Sequence, residues 1–459
     1  MLRVCTEAFV EPYCSATEKR DAIRTAPIPT RRLSMRLPLL TLLAGCALGL
    51  QAQAAFAAQP TPNDPEVMRG AYLARAGDCI ACHTAPKGKP FAGGLPMNLP
   101  MGIGKVYSPN ITPDKTDGIG NWTFAQFDEA VRHGKSPRLG YLYPAMPYPS
   151  YARIEPQDMR ALYAYFMHGV QPVAQANKPE DIPWPLNMRW PLAVWDWLFA
   201  RDGVYKPDPK QTAQWNRGAY LVEGLGHCGA CHTPRGPFLQ EKALAPGGAD
   251  GSLYLSGARI DNWYAANLRG DQSDGLGRWT PAELVQLLKT GRTANFTIVG
   301  SMTDVIHDST QHLNDGDLQA IAVFLKSLSP IHPNAAINQP QTPVMTAAAR
   351  AGDPLYAAHC AMCHQAQGQG IPNVFPALAL NPTVNTPDPI NTIRMMLHGG
   401  HTVETKGNPT PMAMPDLGAT LNDTQVAEIA SYVRSSWGND APNVSADEVA
   451  KIRKLVAAK

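Results

Sequence analysis

The sequence predicts a mostly α-helical protein of three tandem domains with long loops. Three observations lead to this prediction. The chain has 459 residues, which is the length of roughly three domains. One pentapeptide, Cys-x-x-Cys-His, occurs three times, at residues 79–83, 228–232 and 360–364. Helical patterns follow each occurrence, and 43 prolines indicate extended connections between them.

The spacing within each pentapeptide is the spacing that covalent attachment of a c-type haem requires. Two thiols three positions apart can form thioethers with both vinyl groups of one porphyrin, and the following histidine can bind the iron. We therefore predict three covalently bound haem c groups. The predicted attachment residues are Cys79, Cys82, Cys228, Cys231, Cys360 and Cys363, and the predicted proximal ligands are His83, His232 and His364.

Zinc binding and a redox disulfide are the alternatives for these cysteine pairs. A zinc ribbon usually combines two Cys-x-x-Cys pairs separated by about 15–20 residues. Here the pairs lie far apart in the chain, their odd number prevents matching two by two, and each carries the adjacent histidine. These features favour haem attachment.

The first two domains are internal repeats of each other. In each, a short helix leads into the pentapeptide, and a later amphipathic helix ends at a glycine, as at a helix C-cap. These later helices are predicted from Phe124 to His133 and from Pro281 to Thr290. The repeated stretches are Arg-Gly-Ala-Tyr-Leu at residues 69–73 and 217–221, and Gly-x-Gly-x-Trp-Thr at residues 118–123 and 275–280.

The third domain is a shorter relative, and every domain closes with a terminal helix. In the third domain a middle helix runs from Pro389 to His398 and ends at Gly399. The order of helix, pentapeptide, long loop, helix, loop and terminal helix is the plan of a class I cytochrome c domain. The predicted terminal helices are residues 157–167, 315–328 and 422–437, with Asn314 or Asp315 and Asn422 or Asp423 as N-caps.

These patterns predict three tandem class I cytochrome c domains joined by two linkers. The first linker carries four tryptophans within 14 residues. We interpret them as an interdomain packing helix; an anchor at a membrane interface or partner is the alternative. The predicted boundaries are 1–57 for an extension with a signal peptide, 58–170, 211–329 and 346–440 for the domains, 171–210 and 330–345 for the linkers, and 441–459 for a C-terminal helix.

A class I haem usually takes a methionine as its second axial ligand, from a loop before the terminal helix. The predicted ligands are Met146, Met302 and Met414. Met412 competes with Met414, which is preferred because it precedes a proline as Met146 does. The weaker candidates are Met97 and Met101 as ligands in the first domain, His133, His398 and His401 as alternative axial ligands, and Arg235 as a partner of a haem propionate.

The N-terminus predicts export. Met35, the expected start, precedes an apolar run of 14 residues, Leu37 to Leu50, followed by small-residue cleavage sites. This run is short for a membrane span of about 20 residues. A twin-arginine signal at Arg31-Arg32 and lipidation of Cys46 are less favoured alternatives. The expected location is the periplasmic side of the bacterial inner membrane, with peripheral attachment. The last helix, 445–459, is expected either to lie on the membrane surface or to be exposed to solvent.

Several further stretches carry a family resemblance. They are residues 107–114 with 118–122, residues 143–148, residues 309–311 with Leu313, and residues 421–439. With the three pentapeptides they resemble the three-haem cytochrome c subunit of bacterial membrane-bound dehydrogenases, of the alcohol, gluconate, sorbitol, fructose and aldehyde type. The resemblance implies electron flow from a flavoprotein or quinoprotein dehydrogenase subunit to membrane ubiquinone or a terminal acceptor.

Two other functions stay open from the sequence. A peroxidase-like haem enzyme would need an open iron site, which the three methionine candidates disfavour. A tri-haem electron acceptor of a molybdenum hydroxylase would differ only in its partner. No dinucleotide-binding or quinoprotein motif occurs, so we expect no substrate-oxidising site in this chain. A net charge of +2 gives no indication of nucleic-acid binding.

Overall fold

The computed structural model describes residues 61–99, 102–200, 203–333 and 345–457, and helices are the main regular structure of these residues, as predicted. The strands are short and form antiparallel pairs. The helices are α1 Pro65–Ala76, α2 Cys79–Cys82, α3 Phe124–His133, α4 Tyr148–Tyr151, α5 Pro156–Ala164, α6 Pro191–Phe199, α7 Ala213–Tyr220, α8 Gly229–His232, α9 Pro281–Thr290, α10 Met302–Asp308, α11 Asp315–Lys326, α12 Ala347–His359, α13 Ala361–His364, α14 Ile390–His398, α15 Asp423–Arg434 and α16 Ala446–Ala457. The strand pairs are β1 Pro96–Leu99 with β2 Gly104–Tyr107, β3 Lys135–Ser136 with β4 Gly140–Tyr141, β5 Ala258–Ile260 with β6 Trp263–Ala265, and β7 Gly400–His401 with β8 Ala413–Met414.

One helix pairing occurs three times. The helix before each Cys-x-x-Cys-His motif packs against a later helix, so that α1 pairs with α5, α7 with α11 and α12 with α15. We call the surrounding parts of the chain the first segment (residues 61–170), the second segment (211–329) and the third segment (345–457). In each pair, a glycine allows the two helices to approach each other closely. A Cβ on Gly70, Gly218 or Gly352 would lie 1.9, 2.0 or 2.1 Å from the carbonyl oxygen of Ala161, Ala320 or Glu428, respectively.

The apolar core is shared by the first two segments. Leu73 and Phe166 of the first segment belong to the same buried cluster as Leu225 and Phe324 of the second. The third segment has its own buried cluster, which includes Ile393 of α14 and Val426 of α15. Because burial of apolar area is the main favourable term in folding, the first two segments stabilise each other.

The two middle helices of the first two segments have the predicted bounds. Thr123 begins α3 with a capping box that includes Gln126, and Thr280 begins α9 with one that includes Glu283. Gly134 and Gly291 end these helices in the left-handed conformation, with φ of 61° and 77°.

Two of the three terminal helices are shorter than predicted, because the second ends at Lys326 and the third at Arg434. The first continues beyond Ala164 as a π-helical turn at Tyr165–Gly169. The N-caps of α11 and α15 are Asn314 and Asn422, whose side chains accept backbone N–H groups three residues on, so the aspartate alternatives are wrong. Pro389 is the N-cap of α14 rather than its first residue.

The last helix, α16, packs on the third segment. Val449, Ile452 and Val456 are buried, and the helix contacts α14 and α15. Arg453 donates to the carboxylate of Asp423 at 2.7 Å. The apolar face of this helix is therefore covered by the third segment, so the alternative of plain exposure is wrong and the membrane-surface alternative gains no support.

In the tryptophan-rich linker, one tryptophan side chain packs against other segments and three are exposed. Trp195 of α6 donates to the carbonyl oxygen of Phe238 at 2.9 Å and contacts the ring of Tyr148, so it packs between segments as the preferred interpretation expects. Three other side chains of the linker are exposed: Trp184 (78%), Trp190 (67%) and Trp197 (81%). None of the helices within the described ranges is both long and apolar enough to cross a membrane.

Some expectations fall on residues that the structure does not describe. The signal peptide, with its start at Met35 and the alternative at Cys46, lies outside the described residues, as does most of the linker at 330–345. Met101, one of the weaker ligand candidates, also lies outside them.

Candidate functional site

Each Cys-x-x-Cys-His motif folds as a single helical turn, α2, α8 or α13. Positions i and i+3 of a helix lie on the same face, so the two cysteines of each motif are neighbours. All six are free thiols. The chain thus presents three separate pairs of thiols, each pair on one helical turn.

The histidine that ends each motif is held in the same way three times. Its Nδ1 atom lies within hydrogen-bonding distance of a backbone carbonyl oxygen from the following loop. Donation from Nδ1 leaves Nε2 unprotonated and fixes the ring orientation, which is the usual preparation of a histidine metal ligand. The distances are 2.8 Å from His83 to Pro109, 2.7 Å from His232 to Ala266 and 2.9 Å from His364 to Pro376.

Burial reinforces this state of the histidines. Desolvation lowers the pKa of His83, His232 and His364, and the carbonyl hydrogen bonds only partly oppose it. The neutral imidazole, which is the form that binds iron, is therefore the stable form at neutral pH.

The cysteines do not have the properties of redox-active thiols. Desolvation, as the largest cause, raises the pKa of Cys79 and Cys228 to about 12 and that of Cys360 to about 11. Reactive cysteines have lowered pKa values instead, which argues against the disulfide alternative. Among the described residues no group of three His, Cys, Asp or Glu side chains is arranged to hold a metal ion, so the zinc alternative has no support in the geometry.

The three predicted methionine ligands are all half-buried but lie in different local structures. Met146 is half-buried against the core of the first two segments, just before α4. Met302 is half-buried at the start of α10. Met414 lies in β8, paired with Gly400, and contacts the core of the third segment. Their role as ligands stays a prediction.

The competing methionines have other surroundings. Met412 lines a cleft between the second and third segments, together with Arg292 and Val374. Met97 lies in the β1–β2 hairpin, opposite Val106. These positions support Met414 over Met412 and do not favour Met97.

The polar candidates are less suited to a haem site. Arg235 donates to the carbonyl oxygens of Leu239 and Ala230, so it braces the loop around the second motif. His398 and His401 are exposed at the end of α14. The assignment of either histidine as an axial ligand gains no support.

The main feature that the sequence did not reveal is the set of carbonyl acceptors. Pro109, Ala266 and Pro376 act through main-chain oxygens, and no side chain signals such a role. Their distance from the histidine along the chain also varies, from 26 and 34 residues in the first two segments to 12 in the third. The shorter loop matches the prediction that the third unit is abbreviated.

Comparisons with known proteins show the family to which the chain belongs. The cytochrome c family model matches residues 67–169 and 349–437. The chain is 50% identical over 400 residues to the gluconate 2-dehydrogenase cytochrome c subunit of Pantoea cypripedii, a match that covers 85% of this chain and 90% of the relative. It is 47% identical over 425 residues to the alcohol dehydrogenase (quinone) cytochrome c subunit of Gluconacetobacter polyoxogenes, covering 90% of each chain. The fructose dehydrogenase cytochrome subunit of Gluconobacter japonicus is 39% identical over 421 residues, covering 86% of this chain and 85% of the relative.

Proposed function

Because the chain belongs to the family of dehydrogenase cytochrome c subunits, we propose that it is a tri-haem c electron-transfer subunit of a membrane-bound dehydrogenase complex. The observation that carries the count of three is the repeated histidine geometry. Each motif has two free thiols and a histidine oriented through Nδ1, and a half-buried methionine follows later in each segment. The donor set fits haem c at all three places.

Each segment is, on this proposal, one class I cytochrome c domain. Haem c supplies a one-electron couple between ferrous and ferric iron. The protein contributes the thioether attachments, the axial ligands and an apolar surrounding. The residues that would hold the three irons are His83 with Met146, His232 with Met302 and His364 with Met414.

The packing supports a relay in which the second segment is central. The pKa of Cys82 in the first motif is raised chiefly by desolvation, then by Asp78 and then by Cys231 of the second motif. The first two motifs are therefore close to each other. The third segment is joined to the second by an ion pair between Arg259 and Asp388, at 2.7 Å. Electrons that travel between the first and third haems would therefore pass the second.

We propose that the donor is a separate flavoprotein or quinoprotein dehydrogenase subunit and that the acceptor is ubiquinone or a terminal acceptor. The names of the relatives include gluconate, alcohol and fructose dehydrogenases, which are the substrate classes to test first. The site would lie on the periplasmic side of the inner membrane, with peripheral attachment through the exposed tryptophans of the linker.

The proposal is tested by counting haems and probing the irons. A pyridine haemochrome assay of the exported protein is expected to give three haem c per chain, and Cys-to-Ser changes at one motif should reduce that count to two. Carbon monoxide should fail to bind the reduced protein, because each iron has two protein ligands. A count other than three, or rapid stoichiometric carbon monoxide binding at one haem, would overturn the assignment, and the second result would favour the peroxidase-like alternative.

A further inference from the structure

The repeated Arg-Gly-Ala-Tyr-Leu stretches place an arginine on an aspartate within each segment. Arg69 Nε donates to Asp158 Oδ1 at 2.8 Å, and Arg217 Nε donates to Asp317 Oδ1 at 2.7 Å. Each aspartate lies in the helix that pairs with the arginine's own helix, α5 or α11. Both carboxylates are buried, so each depends on its partners for compensation of its charge.

The tyrosines of the same stretches cross to the other segment. The hydroxyl of Tyr72, in the first segment, donates to Asp317 Oδ2 at 2.6 Å. The hydroxyl of Tyr220, in the second segment, donates to Asp158 Oδ2 at 2.8 Å. Burial and the neighbouring carboxylate raise the pKa of both tyrosines well above the usual value, so both hydroxyls stay protonated donors.

The reciprocity extends to the backbone. The N–H of Asn314 donates to the Tyr72 hydroxyl at 3.3 Å, and the N–H of Glu155 donates to the Tyr220 hydroxyl at 3.2 Å. These contacts of one segment on the other thus recur with the roles exchanged. This is the relationship of two subunits in an isologous dimer, here within one chain.

The same interface reaches the two motifs. Helix α10, which begins at Met302, packs against α2, and Arg75 donates to the carbonyl oxygen of Asp308 at 3.2 Å. In the other direction, Tyr151 of α4 contacts the ring of His227, next to the second motif, while its hydroxyl donates to the carbonyl oxygen of Gly77 in its own segment at 2.7 Å. The methionine-bearing region of each segment therefore lies beside the motif of the other.

The third segment lacks all three residues of this set. Gly352 corresponds to Gly70 and Gly218, because all three allow the same close helix crossing. Relative to this glycine, Ala351 takes the position of Arg69 and Pro354 takes the position of Tyr72. Gly352 contacts Glu428 as Gly70 contacts Ala161, and by that correspondence Gln425 takes the position of Asp158. At these three positions the third segment has no hydroxyl donor and no carboxylate acceptor.

We propose that Tyr72 and Tyr220 are positioning residues that fix the first and second haem sites relative to each other, so that these two haems act as one electron-exchanging pair. The inference rests on the proposed function, since it needs haem at both motifs. The step is a one-electron exchange in which one iron is oxidised from ferrous to ferric as the other is reduced, with no bond made or broken. The third haem stands outside the pair.

The test is the double variant Tyr72→Phe/Tyr220→Phe in the full haem-loaded chain. Each change removes one hydroxyl and leaves one carboxylate oxygen with a donor fewer, while the ring and its packing remain. After partial reduction by a pulse of reductant, electron redistribution between the first two haems should slow several-fold. The matched control is Tyr356→Phe, because this buried tyrosine donates to the carbonyl oxygen of Gln365 inside the third segment, at 2.7 Å.

A second measurement reads the geometry directly. The variant Cys360→Ser/Cys363→Ser lacks the third haem attachment, so two irons remain. Pulsed electron paramagnetic resonance of this oxidised protein then measures a single iron–iron distance. The double variant should broaden that distance distribution, and each single variant should broaden it about equally because the two contacts are equivalent. If the single variants keep both the narrow distribution and the parental exchange rate, the proposal is wrong. A wild-type haem count other than three would instead refute the proposed function.

Discussion

Gly218 in α7 lies so close to Ala320 in α11 that a Cβ on the glycine would stand 2.0 Å from the alanine carbonyl oxygen. A real Cβ cannot occupy that point, and the obstacle is backbone that no side-chain rotation removes. The same contact recurs at Gly70 and Gly352. The pairing of the two helices in each segment therefore depends on one hydrogen atom in place of a side chain.

Gly218→Ala should destabilise the protein by about 1–3 kcal/mol or more, because α7 and α11 must move apart to admit the methyl group. The change should lower the midpoint of thermal unfolding. Gly247→Ala is the matched control, since a Cβ there meets no atom within 4 Å. Equal effects of the two substitutions would show that the crossing is not tight.

Local signals explain which helices the sequence predicts well. The bounds of α3 are set by Thr123, Gln126 and Gly134, all within the helix or next to it, so periodicity and capping rules suffice. The predicted ends of the terminal helices are wrong because tertiary packing determines where these helices end. The π-helical turn at Tyr165–Gly169 packs against α1, about 100 residues earlier in the chain, and no local pattern records such a contact.

The candidate site also has features that the sequence predicts and features that it does not. The thiols and histidines are visible as a motif, whereas the carbonyl oxygens that orient the histidines are not. The bond between Tyr72 and Asp317 joins residues 245 positions apart. The Arg-Gly-Ala-Tyr-Leu repeat shows that these tyrosines occupy equivalent positions, but only the packing of two segments shows that each reaches the other's aspartate.

Met414→Leu should abolish one methionine-to-iron absorption band and lower the reduction potential of one haem, because thioether ligation favours the ferrous iron. Met412→Leu should leave both properties unchanged, since Met412 lines the cleft toward the second segment. Visible spectroscopy during a redox titration measures both. If only the Met412 variant loses the band, the ligand assignment is wrong.

Asp78 should make the protein less stable as the pH rises. Its side chain is buried, and no hydrogen-bond partner of its Oδ1 atom is found among the described residues. Desolvation first, and then the carboxylates of Asp308 and Asp304, raise its pKa from 3.8 to about 8. Between these values the unfolded chain is ionised while the folded chain holds the proton, so each rise in pH favours unfolding.

Asp78→Asn should therefore stabilise the protein by roughly 1–3 kcal/mol at pH 8, with a gain that shrinks as the pH falls and vanishes below about pH 4. Asparagine also tolerates the left-handed backbone at this position, where φ is 51°. Unfolding by urea at a series of pH values measures the effect. A gain of equal size at pH 4 and pH 8 would show that the titration of Asp78 is not its cause.

The exposed tryptophans of the linker should mediate attachment to lipid. Trp184, Trp190 and Trp197 leave large aromatic surfaces in water, which soluble proteins seldom do without a partner, and tryptophan is enriched at membrane interfaces. The triple change to serine should weaken binding to phosphatidylethanolamine–phosphatidylglycerol vesicles by at least about tenfold, because each lost ring removes its burial energy. Cosedimentation with the vesicles measures the loss.

Met68→Ser provides the control, since Met68 is an exposed apolar residue of α1, outside the linker. Its substitution should leave vesicle binding unchanged. Binding through the tryptophans should also persist in high salt, whereas attachment through charge would be screened. A triple variant that binds like the parent, or parental binding that disappears in salt, would assign attachment to another surface and leave these rings for contact with the dehydrogenase subunit.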